Sequence, residues 1–258
     1  MPELPDLQVF SRNLTKALKD KKLEKISALN AKKLNVSEQE LNHTLKGEVL
    51  TKVERSGKQL HLIFKNGHVL GLHLMLHGEL HLTEKGALPQ KYAIISFEFD
   101  DGTALIMSDF QAAATPTLDP DEAGVPDALD IDEDDLTARL EKTKKPVKTV
   151  LMDQHIIRGI GNAYADEILW HARLSPFSVS NKIPASKIKT LAQSIKAVLK
   201  DAEKQILNAR PDTISGEYRD FLEIHKSGKK HTSTGAVIHQ KELSSRKTYY
   251  TDEQELYQ

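Results

Sequence analysis

Between residues 22 and 110 the chain breaks into seven short apolar or alternating runs, at 23–29, 49–55, 59–64, 69–76, 79–83, 93–99 and 103–108. Runs of this length, many with a two-residue alternation, read as half-buried strands rather than helices. The turn signals Lys65-Asn66-Gly67-His68 and Asp100-Asp101-Gly102-Thr103 suit tight hairpins. Repeated hairpins place consecutive strands side by side and antiparallel, so this part predicts a sandwich or barrel. Ahead of it, residues 6–18 carry Leu7, Val9, Phe10, Leu14, Ala17 and Leu18 close to a helical period. The first part is therefore expected to be β-rich with one amino-terminal helix.

Beyond it the pattern changes. Pro116, Pro120 and Pro126 punctuate a stretch of Asp, Thr and Gly that reads as a connection. Helical periods follow at 132–142, 147–154, 162–172 and 186–208, the last bounded by Pro184 and Pro211. Short strand-like runs return at 236–239 and 247–250. The expected organisation is an α+β fold in four segments: 1–114, a linker at 115–131, a helical domain at 132–222, and a terminal hairpin at 223–258.

Of the 258 residues, 39 % are hydrophobic, enough to bury a core, and none is cysteine, so disulfides and thiolate metal sites cannot form. No apolar run of about 18 residues occurs and the amino terminus has no leader pattern. A soluble intracellular protein is expected, cytoplasmic and nucleoid-associated in a bacterium or nuclear in a eukaryote. The formal net charge of −1 hides an asymmetry. From residue 144 onward there are 19 Lys and Arg against 13 Asp and Glu, whereas the rest of the chain holds 17 against 24. Much of the acid lies between Asp119 and Asp135. A basic carboxy-terminal half fits a nucleic-acid face, although a solvated charged surface gives the same counts.

Two stretches carry chemistry. The chain opens Met1-Pro2-Glu3-Leu4-Pro5-Asp6-Leu7. Trimming of Met1, which a small second residue permits, would leave Pro2 with a free secondary amine. An α-amino group titrates at about 7.7–8.0, so part of it is an unprotonated nucleophile at neutral pH that can form an iminium with an aldehyde carbon. Glu3 beside it can transfer protons. By themselves these residues read as an ordinary helix start. The second stretch, Asp153-Gln154-His155-Ile156-Ile157-Arg158-Gly159-Ile160-Gly161-Asn162, ends one helix and begins another. Gly159 and Gly161 permit a tight turn, Asn162 is placed to cap the next helix, and unpaired N–H groups there can hold a phosphate.

In this order and with these neighbours, the second stretch resembles the helix-two-turn-helix of the formamidopyrimidine-DNA glycosylase and endonuclease VIII family. The resemblance covers most of the chain. It implies that Pro2 is the nucleophile and Glu3 the acid/base. Arg55-Ser56-Gly57-Lys58 is similar to the family's hairpin lysine site, which makes Lys58 the third catalytic residue. His73-Leu74-Met75-Leu76-His77-Gly78 resembles the strand and turn with a phosphate-contacting histidine, His73, and a gap-filling residue, Leu76. Arg246-Lys247-Thr248-Tyr249-Tyr250 looks like the hairpin of the family's zinc finger. Gly159, Gly161, Asn162, Arg246 and Lys247 are thereby implied as further DNA contacts. The fold implied is an amino-terminal antiparallel β-sandwich with a helix, then a helical domain ending in a finger hairpin. The activity implied is base excision with AP lyase cleavage by β- or β,δ-elimination. No cofactor is implied; the partner is damaged DNA, the protein a monomer.

Three departures bear on substrate. The positions aligned with the finger's cysteines hold His231, Thr234, Thr251 and Gln254, which predicts a zincless finger in which Ile224, Val237, Ile238, Tyr249 and Tyr250 pack in place of the metal. Where many members carry Arg-Arg-Phe-Gly, this chain reads Gln111-Ala112-Ala113-Ala114 after Asp109-Phe110, so the pairing arginine and aromatic wedge are missing. Arg219-Asp220-Phe221-Leu222 runs almost directly into Glu223, which leaves little room for a loop that caps oxidised guanine. A weaker wedge favours lesions that need little forced extrusion: abasic sites, oxidised pyrimidines, and bulky or single-stranded damage. Asp6 stands where the family has a second glutamate. Two other readings are a damage-binding protein of the same fold with little excision, and an interaction protein unrelated to DNA.

Overall fold

The structure, a computed structural model, describes residues 1–87, 90–121 and 124–258. It divides into two compact units, Met1–Glu122 with Ile206–Glu217, and Ala123–Gln205 with Tyr218–Gln258.

The first unit opens with α1 (Leu4–Leu18), whose Leu4, Leu7, Phe10, Leu14 and Leu18 form a fully buried stripe. It continues through β1 (Leu23–Ala28), α2 (Glu38–Leu45), β2 (Leu50–Ser56), β3 (Gln59–Phe64), β4 (Val69–His73), β5 (Glu79–Glu84), β6 (Ala93–Phe99), β7 (Thr103–Ser108) and β8 (Thr115–Leu118). These strands form two antiparallel sheets, ordered β1-β6-β7-β5 and β2-β3-β4-β8. In β3 the alternation is clean: Leu60, Leu62 and Phe64 are buried while Gln59, His61 and Ile63 are partly open. The sandwich with its amino-terminal helix is the fold expected.

Three local expectations need correction. A second helix, α2, lies inside the β-rich part. Its start is the pattern Ser37-x-x-Glu40, and Ser37 Oγ accepts the Glu40 N–H at 3.1 Å. Residues 115–118, read as connection, form strand β8, with Pro116 opposite Leu72. Proline is tolerated there because β8 is an edge strand and can leave its missing N–H on the open side. The run at 69–76 stops pairing at His73, because residues 74–78 fold into a turn.

In the second unit α3 (Glu133–Leu140) begins at Asp132, whose carboxylate accepts the Asp135 N–H at 2.8 Å. The acidic run at 132–135 is thus a helix start, where negative charge is favoured. Then come α4 (Val147–Met152), α5 (Asn162–His171) and α6 (Ala185–Ala209), whose residues to Gln205 belong to this unit. The tail forms the hairpin of β9 (His239–Leu243) and β10 (Arg246–Tyr250), so the earlier strand starts at the end of the run expected at 236–239. Ser244 and Ser245 turn it with φ of 50° and 58°, the two-residue primed turn that matches strand twist. Among the described residues no helix is long and apolar enough to cross a membrane.

Candidate active site

The geometry begins at the first turn of α1. Glu3 is the N-cap residue, with extended φ and ψ of −111° and −175°. Its N–H donates to Asp6 Oδ2 at 2.9 Å and its side chain reaches the Asp6 N–H, a reciprocal capping box. Glu3 and Asp6 are both buried, as is Pro2. Asp6 therefore fixes the backbone that carries Pro2 and Glu3. The helix is tied to β2 by Thr15 Oγ1, which accepts the Val53 N–H and donates to the Val53 carbonyl, both at 2.9 Å. Arg55 Nε donates to Gln8 Oε1 at 2.9 Å.

Strands β2 and β3 join through Gly57 and Lys58, with Ser56 opposite Gln59. The Gly57 φ of 57° is the left-handed conformation that glycine supplies at the first position of such a turn. Lys58 lies half-buried at its tip. Its charge reaches His73 at the end of β4. Burial first, and then Lys58, hold the His73 imidazole below its ordinary 6.5. His73 Nδ1 accepts the Met75 N–H at 3.0 Å, which leaves Nε2 to carry the ring hydrogen of the neutral form.

The turn after β4 projects Leu76, 57 % exposed. It closes with the Gly78 N–H on the Leu74 carbonyl at 2.8 Å, and a Cβ on Gly78 would stand 2.2 Å from that oxygen. A cavity of about 480 Å³ opens beside it, lined by Pro2, Leu76, His77, Tyr92, Phe110 and Glu217 among others. Glu217 accepts a hydrogen bond from the Met1 ammonium. Its segment is held by Asn13, which donates to the Pro211 and Thr213 carbonyls at 2.9 and 2.8 Å, and by Ser215 Oγ, which accepts the Leu80 N–H at 3.0 Å.

Loop 109–114 is pinned by one carboxylate. Asp109 accepts the N–H groups of Gln111, Ala113 and Ala114 at 2.8–2.9 Å. The sequence reading found no aromatic wedge in this loop. The structure adds an aromatic group that it passed over: Phe110 is 57 % exposed, with its ring centroid 4.5 Å from that of His77 and 6.4 Å from that of Tyr92. These three residues are far apart in sequence, and only the packing of β6 and β7 beside the 74–78 turn reveals the cluster.

In the second unit, Gly159 adopts φ 102° and donates its N–H to Gln154 Oε1 at 2.9 Å, while Gln154 Nε2 donates to the Met152 and Ile160 carbonyls. Gly161, not Asn162, is the N-cap of α5. The Asn162 amide is used elsewhere, donating to the Lys247 carbonyl at 3.0 Å. That bond joins the interhelical turn to β10, where Arg246 and Lys247 are exposed.

The finger hairpin is held by packing and by polar contacts, and the Tyr250 ring centroid lies 5.0 Å from that of Phe177. Ile224 and Tyr249 are buried as expected, but Val237 is 52 % exposed. Buried Asp166 and Glu167 of α5 take over. Asp166 Oδ2 accepts from His225 Nδ1 at 2.7 Å and from the Tyr249 N–H at 3.1 Å. Glu167 accepts the N–H groups of Glu223, Ile224 and His225 at 2.7–3.0 Å, while burial pushes its carboxyl up. At two of the cysteine-aligned positions, Gln254 accepts the Thr251 N–H at 2.8 Å and donates to the Leu174 carbonyl at 2.9 Å, both side chains buried.

Residues 1–115 match the formamidopyrimidine-DNA glycosylase N-terminal domain, and residues 123–208 match the formamidopyrimidine-DNA glycosylase H2TH domain. The chain belongs to the formamidopyrimidine-DNA glycosylase family, whose members are bifunctional glycosylase and AP lyase enzymes. It is 30 % identical to the formamidopyrimidine-DNA glycosylase of Mycoplasma genitalium over 97 % of this chain and 94 % of that one. It is likewise 30 % identical to the enzyme of Streptococcus pneumoniae serotype 4, over 97 % of both. Among solved structures it resembles Lactococcus lactis Fpg in complex with abasic-site DNA, at 25 % identity and a TM-score of 0.87 over 97 % of this chain and 98 % of that one. MutM in complex with DNA containing carbocyclic 8-oxo-G gives 26 % identity with the same score and coverage.

Proposed function

We propose that Pro2, freed by removal of Met1, is the nucleophile of a DNA glycosylase and AP lyase that prefers abasic sites, oxidised pyrimidines and bulky or single-stranded damage over oxidised guanine. The observation that carries this reading is the position of Pro2, held by a capping box at the wall of a cavity lined also by Leu76. The Pro2 nitrogen attacks the sugar C1′. The glycosidic bond breaks and its electron pair leaves with the base, which is protonated, while Glu3 moves the proton that opens the sugar ring. The resulting iminium acidifies C2′. Loss of that proton expels the 3′ phosphate, and water then hydrolyses the iminium and regenerates the amine. Lys58 and His73 on one unit, and the Gly159–Gly161 turn, Asn162, Arg246 and Lys247 on the other, supply contacts to phosphates, which position DNA without reading sequence.

The substrate preference rests on loop 109–114. Its alanines at 112–114 offer neither a hydrogen bond to an orphaned base nor bulk to replace an extruded one, so the unstacking free energy of a few kcal/mol is less well offset. Single-turnover cleavage of matched duplexes tests it. Abasic and ring-saturated pyrimidine substrates are expected to be cut at least tenfold faster than oxidised guanine opposite cytosine. Equal rates would overturn the preference.

A further inference from the structure

The exposed aromatic cluster beside Pro2 has no part in the chemistry just described. Phe110, Tyr92 and His77 share the wall of the cavity that Pro2 lines, and Phe110 and Tyr92 are more than half exposed. The Lys91 ammonium sits 4.8 Å from the Tyr92 ring centroid. Tyr92 has φ 62°, a conformation that a bulky residue adopts only when its surroundings hold it there. Its carbonyl accepts the Asp109 N–H at 3.0 Å, and Asp109 in turn anchors the loop that presents Phe110. The ledge is therefore built by the fold rather than left as a loose surface.

We propose that this ledge stacks an unpaired nucleobase of single-stranded DNA, the one next to the nucleotide whose sugar Pro2 attacks. The inference rests on the assignment of Pro2 as nucleophile, since that places a sugar at the cavity and its neighbours along the wall. Exposed aromatic residues with a cation over one of them fit a base and its phosphate, and they tolerate any base because every base has a π-face. Such a ledge offers an unpaired strand a substitute for lost stacking, which suits an enzyme with little to wedge into a duplex.

The test is a coupling experiment on single-stranded oligonucleotides that carry one abasic site. In one set the nucleotides flanking it bear bases; in the other they are baseless spacers. Dissociation constants are measured for the wild type, Phe110→Ala and Phe110→Trp. The wild type is expected to lose about 5- to 150-fold in affinity when the flanking bases are removed, Phe110→Ala to show little further loss, and Phe110→Trp to behave as wild type. Equal losses in wild type and Phe110→Ala overturn the proposal. So does a Phe110→Ala defect confined to excision of a damaged base, which would make the lesion itself the occupant. Borohydride trapping of wild type shown by mass spectrometry to begin at Pro2, on the same strands, separates the two claims: coupling without any trapped adduct upholds base stacking on the ledge but refutes Pro2 as the nucleophile, and with it the placement of that base next to an attacked nucleotide.

Discussion

Lys148 Nζ lies 2.7 Å from Asp166 Oδ1, with both side chains almost wholly out of solvent. Lys148 also donates to Thr248 Oγ1 at 2.8 Å and to the Lys247 carbonyl at 3.2 Å. With His225 and the Tyr249 N–H on the other Asp166 oxygen, this pair hangs β10 on α4 and α5 through bonds that involve charged groups. It fixes the hairpin where the family's finger uses a metal. Lys148→Met strands a buried carboxylate, so a loss of about 3–5 kcal/mol is expected in urea unfolding. Lys148→Met combined with Asp166→Leu is expected to cost less than the sum of the single changes. Additive losses would show that the pair is not a coupled unit.

Asp6 is read as a positioning residue. Asp6→Ala removes the acceptor for the Glu3 N–H and is expected to lower stability by about 1 kcal/mol, and kcat for strand cleavage with little change in KM. Asp6→Asn keeps an acceptor oxygen and should restore most of kcat. If Asp6→Asn were as slow as Asp6→Ala, the role would be ionic rather than that of a cap.

His73 gives the protein a pH dependence of definite sign. Its folded-state value lies below the ordinary 6.5, so in the window below 6.5 the unfolded chain binds more protons than the folded one. The contribution of neutral His73 is present above 6.5 and is lost as pH falls from 6.5 through the lower folded value. Unfolding free energy, measured in urea from pH 8 to pH 5, should decline across this range, and less steeply in His73→Gln. An unchanged slope in His73→Gln would contradict the assignment.

The turn after β4 separates stability from function. Gly78→Ala forces a Cβ against the Leu74 carbonyl and should cost about 2–3 kcal/mol. Leu76→Ala, at an exposed tip, should leave the unfolding midpoint nearly unchanged while it slows excision from duplex DNA. Thermal unfolding and single-turnover cleavage of the two variants check this; a stability loss in Leu76→Ala would mark it as a core residue instead.

Much of this was legible in the sequence because it depends on local pattern. The alternation in β3, the hairpins at Gly67 and Gly102 and the helix read over residues 6–18 follow from side-chain periods and turn chemistry. Helix α2 was legible too, in Ser37-x-x-Glu40, but its short apolar content hid it among strands. What was not legible depends on partners distant in the chain. Pro116 looks like a breaker until β8 is seen to lie at a sheet edge, and Asn162 looks like a cap until its amide is found on the Lys247 carbonyl. Asp166 and His225 are 59 positions apart, and no period connects them. Phe110, just ahead of the positions where the wedge is missing, carries no signal in the sequence because its exposure and its neighbours, His77 and Tyr92, emerge only from packing.

The central claim is that Pro2 forms a covalent iminium with the sugar. Protein whose amino-terminal residue is shown by mass spectrometry to be Pro2 is incubated with abasic-site DNA and borohydride, which reduces the iminium to a stable amine. A protein–DNA adduct whose cross-linked peptide begins at Pro2, absent from Pro2→Gly mixtures at that position and from protein that retains Met1, is the predicted result. Tight DNA binding with no adduct, or an adduct mapped to a lysine in the unaltered protein, would contradict the account.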